Sequence, residues 1–301
     1  MSDNKTLTKK EFDVLSFLSG RTAQTPQRTI AADTGISVGT VNKIINEFEK
    51  NGYIRGGVIT EKGIGALEPY KARRAIIVAA GFGSRLVPIT LNTPKPLVRI
   101  KGKRILDSII DAVIAAGIED IVIVRGYLGE QFDQLLYKYP NIRFVENPIY
   151  NEANNISSVE CVRYLLGNSY VIEADLWLRN PALITKYQYC SNYIGVPTER
   201  TDDWCFFTDS NGYIKKLTVG GENCFHMFGI SYWNEEDGKR LSDDIEAAFR
   251  APGGKELYWD QVALGSQIGK YNVAVRHCTF DDITEIDTFN ELKKLDPSYR
   301  V

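Results

Sequence analysis

The chain has few of the residues that usually bind structural metals or form disulfide frameworks. Its 301 residues include two histidines and five cysteines, and these cysteines show no C-x-x-C spacing. Zinc sites and disulfide frameworks both depend on such patterns, so we expect neither of them here. The two histidines, His226 and His277, lack metal-ligand spacing and are interpreted as structural residues or minor contributors to a pocket.

Long apolar runs and a strong net charge are also absent. No stretch of roughly 18 apolar residues occurs and the amino terminus is polar, so we expect neither a membrane span nor a signal peptide. A net charge of −2 gives no global attraction to nucleic acid or to an anionic membrane. The composition, 44% hydrophobic and 25% charged, is that of a soluble globular protein, and we expect a cytoplasmic location.

The first seventy residues have the pattern of a small helical domain. Apolar residues recur at helical spacing over residues 7–18. A short helix, a turn at Gly35 and a longer helix capped by Ser37 follow. Two adjacent glycines at 56–57 then predict a two-stranded hairpin. This order of elements resembles a winged helix-turn-helix domain over residues 1–70.

The second helix of this motif would enter the major groove if the domain binds DNA. Four polar residues can form its outer face: Thr40, Asn42, Lys43 and Asn46. However, Glu47 and Glu49 lie on the same helix, and residues 1–72 contain ten Lys and Arg against eight Asp and Glu. This small excess is a weak basis for phosphate attraction. DNA binding therefore stays open beside dimerisation or contact with the following domain.

Strands and helices alternate in the second domain, residues 74–301. Strand patterns cover 75–79, 120–124, 143–146, 169–173, 192–196 and 272–277, and helical patterns cover 105–116 and 130–138. Such alternation predicts a three-layer α/β domain with a mostly parallel sheet. In such sheets ligands bind beyond the carboxyl ends of the strands, so the loop after the first strand lies at the ligand-binding edge.

This loop has the residues needed to bind a triphosphate. The string Gly81-Phe82-Gly83-Ser84-Arg85 follows the first strand, and Lys95 lies further on between two prolines. Glycines let backbone N–H groups approach phosphate oxygens closely, and the two cations neutralise their charge. Leu86 stands where a dinucleotide fingerprint would have its third glycine, and the Gly-Lys-Ser/Thr of a Walker loop is missing. An ordinary glycine-rich turn would not need Arg85 and Lys95.

Two strings in this region carry a resemblance to a known family. A-A-G-x-G-S-R-L followed by T-P-K-P-L resembles the signature of nucleotidyltransferases, and the bacterial CTP:phosphocholine cytidylyltransferases are most similar. The resemblance runs from about residue 74 to the carboxyl terminus. It implies a Rossmann-like nucleotidyltransferase domain that moves the CMP group of CTP to phosphocholine. The products would be CDP-choline and pyrophosphate, and the reaction would require Mg²⁺.

The same resemblance assigns roles on the nucleotide side of the site. Arg85 and Lys95 would be catalytic, with Arg85 on the β- and γ-phosphates and Lys95 on the charge that develops at the α-phosphate. The residues implied in nucleotide binding are Ala79, Ala80, Gly81, Gly83, Ser84, Arg85, Gly126, Tyr127 and Asp175. Gly126 would permit close approach of a pyrimidine, whereas Tyr127 either contacts the base or only packs.

Acidic residues at strand ends predict a magnesium site. Glu173 and Asp175 lie two residues apart on a strand and therefore share a face. The resemblance implies Asp175 and Asp260 as the metal ligands, and oxygen ligands are those that Mg²⁺ prefers. Glu173 stands where the family more often has Asp, so its role stays open. Asp287, with Glu285, is expected near the pocket.

The acceptor side is predicted from polar and aromatic residues. The implied substrate-binding residues are Asn154, Asn155, Trp204, Tyr258, Trp259, Glu285 and Asp287. Asn154 and Asn155 match an Asn-Asn element of the family. The aromatic residues resemble those that enclose trimethylammonium, which aromatic faces attract through cation–π contacts. The alternative is that these aromatic side chains belong to the core or to the rim of the pocket.

Several alternatives remain at this point. Another enzyme of the superfamily would act on a sugar 1-phosphate, on phosphoethanolamine or on an aminoalkyl phosphonate. A protein of another class would be a DNA-binding regulator whose second domain senses a nucleotide. The sequence also leaves open the nucleotide base and whether the chain forms a homo-oligomer.

Overall fold

The computed structural model describes residues 6–300, and the chain divides into two units between Lys71 and Ala72. The predicted domain limits, residues 70 and 74, flank this division. The first five residues of the polar amino terminus and residue 301 of the predicted second domain lie outside the described residues. The helices within 6–300 are all too short or too polar to span a lipid bilayer.

Within residues 6–71 the first unit contains four α-helices, a 3₁₀ helix (Glu68–Tyr70) and a short hairpin. Thr8 caps the first helix in a capping box with Glu11, and Ser37 caps the third by accepting a hydrogen bond from the Thr40 backbone. The elements are α1 (Lys9–Ser19), α2 (Gln27–Thr34), α3 (Val38–Asn51), β1 (Ile54–Arg55), β2 (Val58–Ile59) and α4 (Glu61–Leu67). The two strands pair in antiparallel register. A winged helix-turn-helix arrangement therefore forms as expected.

The outer face of α3 is polar and mixed in charge. Asn42, Lys43 and Asn46 are exposed, and Glu47 is exposed beside them. Glu49 is used within the unit, because its Oε1 accepts a hydrogen bond of 3.0 Å from the Gly57 backbone in the hairpin. These four residues therefore offer one cation and two amides next to an acid.

The second unit is an α/β domain around one large sheet. Its strands are β3 (Arg74–Ala79), β4 (Arg99–Ile100), β5 (Lys103–Arg104), β6 (Asp120–Arg125), β7 (Arg143–Glu146), β8 (Ser169–Glu173), β9 (Leu176–Leu178), β10 (Asn192–Thr208), β11 (Ile214–Trp233), β12 (Ala274–His277) and β13 (Ile283–Glu285). Its helices are α5 (Ile105–Ala115), α6 (Ile156–Glu160), α7 (Glu235–Arg250) and α8 (Phe289–Leu295). The predicted helix at 130–138 is a 3₁₀ helix over Gly129–Tyr137.

The large sheet has seven strands in the order β12-β10-β11-β8-β3-β6-β7. Within this sheet only β11 runs antiparallel to its neighbours. The mostly parallel sheet is therefore confirmed, but the sequence patterns missed β11 and placed the end of β10 twelve residues too early, at 196 instead of 208. The two long strands form a hairpin with several register shifts.

Alternating residues of the central strands face two apolar layers. Ile77 packs with α5 residues such as Ile109 on one face, and Ile76 packs with Val171 and the α7 residue Leu241 on the other. Helices therefore cover both faces and form the expected three layers. The loops after β3, β7 and β8 leave the sheet at the same edge, where the parallel strands have their carboxyl ends.

Candidate active site

A cavity of about 490 Å³ lies at this carboxyl edge. Its size is typical of pockets for small molecules, which span about 300–1,000 Å³. Fifteen of the predicted site residues line it: Ala79, Ala80, Gly81, Gly83, Ser84, Arg85, Lys95, Asn154, Asn155, Asp175, Trp204, Tyr258, Asp260, Glu285 and Asp287. Segments that are far apart in sequence therefore meet in one place, as the parallel topology requires.

The loop after β3 depends on a glycine at position 83. Gly83 has a φ of +61°, and a Cβ built on it would lie 2.8 Å from the Cβ of Lys95. Its carbonyl oxygen accepts a hydrogen bond of 2.9 Å from the Thr90 hydroxyl. Any larger residue would therefore strain the backbone and push Lys95 away from the loop.

Lys95 is the central cation of the cavity. Its side chain is only 11% exposed, and its Nζ donates to Asp175 Oδ2 at 2.9 Å and to Asp287 Oδ1 at 3.0 Å. Burial by itself lowers the pKa of Lys95, but the charges of the two aspartates and their hydrogen bonds outweigh it and raise the pKa. The ammonium group therefore stays charged and points into an acidic cluster.

Arg85 shares one of these acids. Its Nη2 donates to Asp287 Oδ1 at 2.8 Å, which is the same oxygen that accepts from Lys95. The Arg85 side chain is 66% exposed, so it lies at the mouth of the cavity and not on its floor. One exposed and one buried cation therefore converge on a single carboxylate.

Three carboxylates form a compact group. Asp175, Glu285 and Asp287 each offer an oxygen within 4.8 Å of the others. They meet because β9 and β13 pair, with Glu285 opposite Leu176. Asp175 Oδ1 is buried and has no hydrogen-bond partner among the described residues. An unpaired buried carboxylate oxygen is costly, and a cation at this position would satisfy it.

Two further acids lie at the same cavity. Burial, followed by the charges of Asp175 and Asp260, raises the pKa of Glu173 well above its usual range. Asp260 is 4% exposed, and burial raises its pKa to about 6, although the Gln261 backbone donates to its Oδ1 at 3.1 Å. Asp260 is not a member of the compact group of three carboxylates. Its role as a metal ligand stays a prediction.

The two asparagines connect distant segments of the cavity wall. Asn155 donates from Nδ2 to Glu173 Oε1 at 3.2 Å and accepts from the Trp259 backbone at 3.0 Å. Asn154 donates from its backbone to the Lys255 carbonyl oxygen at 2.7 Å. The pair therefore holds the segment that carries Tyr258 and Asp260 against the end of β8.

Two of the three aromatic side chains predicted on the acceptor side line the cavity, and we call these two the aromatic wall. Trp204 and Tyr258 pack edge to face with ring centroids 5.8 Å apart, and both line the cavity beside Asp203. Trp259 is fully buried instead, in ring contact with Tyr193 and Trp233, and its side chain does not line the cavity. Placing Trp259 in the wall was wrong, because it lies in the core layer beneath the sheet.

Two residues predicted on the nucleotide side do not line the cavity either. Gly126 is covered by Tyr150, whose Cγ would lie 2.6 Å from a Cβ built at position 126. The Tyr127 hydroxyl donates to the Thr90 carbonyl oxygen at 2.9 Å and so ties two loops together. Gly126 and Tyr127 therefore lie outside the cavity lining, whereas Tyr150 is part of it, and contact of Gly126 and Tyr127 with a base stays a prediction.

The sequence interpretation also missed several residues of the lining. They are Val78, Pro96, Asn147, Tyr150, Ala153, Ser157, Ser158, Ala174 and Met227. Tyr150, Asn147 and the two serines flank the Asn-Asn element, and this proximity could have identified them. Met227 lies on β11, which the strand patterns did not reveal.

Comparisons with known proteins identify the families that the two units match. A model of the family "Nucleotidyl transferase" matches residues 74–180, and one of the family "Winged helix-turn-helix DNA-binding" matches residues 7–55. The 2-aminoethylphosphonate cytidylyltransferase of Lancefieldella rimae is 36% identical over 75% of this chain and 92% of its own length. The choline-phosphate cytidylyltransferase of Streptococcus pneumoniae is 34% identical over 74% of this chain and 96% of its own length.

Solved structures give the same result. The CTP:phosphocholine cytidylyltransferase from Streptococcus pneumoniae matches with a TM-score of 0.70 at 34% identity, covering 75% of this chain and 99% of its own. A glucose-1-phosphate thymidylyltransferase from Bacillus anthracis, described as putative, matches with a TM-score of 0.60 at 16% identity, covering 75% of this chain and 95% of its own. At that identity the second match shows only a common fold.

Proposed function

Because the chain belongs to the nucleotidyltransferase family that contains the bacterial cytidylyltransferases, we propose that it transfers the CMP group of CTP to phosphocholine. CDP-choline and pyrophosphate would be the products. The observation that carries the proposal is that one cavity is lined by four features. They are the loop that begins at Gly81 (the glycine loop), Lys95, the three carboxylates of Asp175, Glu285 and Asp287 (the acidic group), and the aromatic wall. Because the proposed reaction consumes CTP, we expect the protein to act in the cytoplasm.

The glycine loop is suited to the β- and γ-phosphates. Backbone N–H groups of Gly81–Ser84 and the guanidinium of Arg85 supply donors and charge at the cavity mouth. Lys95 lies deeper and remains protonated, so it is suited to neutralise the charge that grows at the α-phosphate during transfer. The two cations would thus act on different phosphates.

The acidic group fits a divalent cation. Asp175 and Asp287, with Glu285 nearby, provide the oxygen ligands that Mg²⁺ prefers, and a cation bound there would satisfy the unpaired Asp175 Oδ1. Mg²⁺ bound there would neutralise phosphate charge and orient the reacting groups. We propose Asp175 as its principal ligand.

The reaction needs no activated side-chain nucleophile. An oxygen of the acceptor phosphate would attack the α-phosphorus of CTP, and the bond to pyrophosphate would break. A phosphate monoester is already a competent nucleophile near neutral pH. The protein would therefore act by placing the two substrates in line and by fixing charges around them.

The aromatic wall would hold the cationic end of the acceptor. Trp204 and Tyr258 present ring faces and edges to the cavity, and Asp203 adds a negative charge beside them. Cation–π attraction to such rings contributes about 0.5–2 kcal/mol per contact. A trimethylammonium group would be held by the rings without needing a hydrogen bond.

A second acceptor, 2-aminoethylphosphonate, is favoured by one observation. Trp259 lies in the core, so the Asp203 carboxylate stands beside two aromatic side chains and not beside the three that were expected. A primary ammonium group donates hydrogen bonds, and Asp203 can accept one, whereas trimethylammonium has no N–H group to donate. The relative from Lancefieldella rimae carries this substrate in its name.

The experiment that tests the proposal is pyrophosphate release by the full-length chain with CTP and Mg²⁺. Phosphocholine, 2-aminoethylphosphonate and glucose 1-phosphate would be compared at equal concentration. The largest kcat/KM is expected with phosphocholine, and a larger value with 2-aminoethylphosphonate would favour the second candidate. Activity with glucose 1-phosphate alone would overturn the role of the aromatic wall. No release with any acceptor would refute the enzymatic proposal.

For the first unit we propose contact with duplex DNA through the outer face of α3. The observation in favour is the exposed set of Asn42, Lys43 and Asn46, in the region that matches the winged helix-turn-helix family. A mobility-shift assay with the DNA upstream of the gene should show binding that Lys43→Glu weakens and Lys239→Glu, a surface control in the second unit, does not. No binding to any duplex would refute the proposal and leave dimerisation as the alternative.

A further inference from the structure

Tyr150 has a position in the cavity that none of the roles above uses. It lies in the loop after β7 and lines the cavity together with Ala80 from the loop after β3. The glycine loop, the acidic group and the aromatic wall occupy other stretches of the lining. Ala80, Asn147, Tyr150 and Ala153 belong to none of these groups, and Ala80 directly precedes the glycine loop, so this stretch is suited to the nucleoside of CTP.

The ring of Tyr150 is held in place from below by a glycine. A Cβ built on Gly126 would lie 2.6 Å from Cγ, 2.8 Å from Cβ and 2.8 Å from Cδ1 of Tyr150. The tyrosine therefore sits directly on the backbone of the loop after β6, at a distance that only glycine allows. The space that Gly126 would otherwise open for a base is filled by this ring.

Phe82 covers the same ring from another direction. Its ring centroid lies 5.3 Å from that of Tyr150 and 5.1 Å from that of Tyr127, and it is 45% exposed. The Tyr127 backbone donates to the Ala80 carbonyl oxygen at 3.0 Å, which ties the loops after β3 and β6 together. Aromatic pairs at such distances are attractive, so the three rings form one cluster across three loops.

The loop that carries Tyr150 is anchored by a buried side chain. Asn147 is 2% exposed, and its Nδ2 donates to the hydroxyls of Ser157 at 2.9 Å and Ser158 at 3.0 Å. Its Oδ1 accepts from the Ile149 backbone at 3.1 Å. The start of the loop is therefore fixed to helix α6, which limits how far Tyr150 can move aside.

We propose that Tyr150, seated on Gly126 and covered by Phe82, closes the nucleoside end of the cavity and restricts it to a single-ring base. The inference rests on the proposed use of CTP and adds the residue that selects the base. A purine has a second ring that would meet the tyrosine ring, and a steric clash of this kind selects against the wrong partner. Tyr150 is thus a specificity-determining residue and takes no part in the transfer itself.

The test is the binding of CTP and GTP to the full-length chain, measured without any acceptor by titration calorimetry. In the Tyr150→Ala variant the affinity for GTP relative to CTP should rise about tenfold or more, the size of effect that steric selection in a pocket provides. Tyr150→Phe keeps the ring and should retain the relative affinity of the natural protein. Tyr164→Ala, which removes an exposed tyrosine elsewhere, should also leave it unchanged.

The proposal would be overturned if a folded Tyr150→Ala variant had the same ratio of GTP affinity to CTP affinity as the natural protein. Thermal melting would establish that the variant is folded. If Tyr150→Ala unfolds, Tyr150→Leu is the alternative, because leucine keeps apolar packing on Gly126. This variant should still raise the affinity for GTP relative to that for CTP. Measurements on the natural protein separate the proposed reaction from the proposed selection by Tyr150. CTP binding without transfer to any acceptor would refute the proposed reaction alone, whereas equal binding of GTP and CTP would refute the selection by Tyr150.

Discussion

The acidic side of the cavity and its aromatic side are built in different ways. On the acidic side, short ion pairs join Lys95 to Asp175, which lies just after β8 of the large sheet, and to Asp287, which lies just after β13 of a two-stranded sheet. On the aromatic side, Trp204 lies on a long hairpin with register shifts, and Tyr258 precedes an irregular turn. The groups proposed for chemistry are thus held together by ion pairs, whereas the two rings proposed for the acceptor are held by contact with each other.

The largest expected effect comes from the acidic side. Lys95→Ala should lower kcat for cytidylyl transfer by about 10²- to 10³-fold, because a preorganised positive group at the reacting phosphate is lost. Steady-state kinetics of pyrophosphate release would measure it. Lys103→Ala, which removes a lysine paired with Asp111, serves as the matched control. A Lys95→Ala enzyme with near-normal kcat would show that the buried ammonium is only structural.

A smaller effect is expected on the aromatic side. Trp204→Ala should raise the KM for the acceptor about tenfold, the loss of roughly 1–2 kcal/mol of cation–π attraction, with little change in the KM for CTP. Trp259→Phe is the contrasting variant, because its buried ring should affect the melting temperature and leave the acceptor KM unchanged. If the two variants exchanged these effects, the assignment of Trp204 to the wall and Trp259 to the core would be wrong.

The two sides also differ in how well the sequence predicted them. The glycine loop and Asp175 follow short strands with clear apolar runs, so their convergence at one sheet edge could be expected from topology, whereas Lys95 was predicted from the T-P-K-P-L string. The glycine signature required no knowledge of distant contacts, because backbone conformation at Gly83 is a local property. The mostly parallel sheet was predictable because strand patterns alternate with helical patterns along the second domain.

The aromatic side was harder to predict because its residues depend on tertiary pairing. Tyr258, Trp259 and Asp260 are adjacent in sequence, and no simple period says which of them faces the cavity in a turn. Strand β11 contains polar residues and Gly220 with a φ of +73°, so it lacks the alternation of an ordinary strand. The approach of Glu285 and Asp287 to Asp175 likewise depends on the pairing of β9 with β13.

The shared oxygen of Asp287 gives the site an internal counter-ion. Arg85 and Lys95 both donate to this one atom, so any phosphate that reaches them competes with a carboxylate tethered to the same chain. A tethered competitor has a high effective concentration and would lower the affinity of the proposed site for every phosphate ligand, including pyrophosphate. The same contact that lowers the affinity for the incoming nucleotide would therefore hasten the departure of the leaving group and free the site for another turnover.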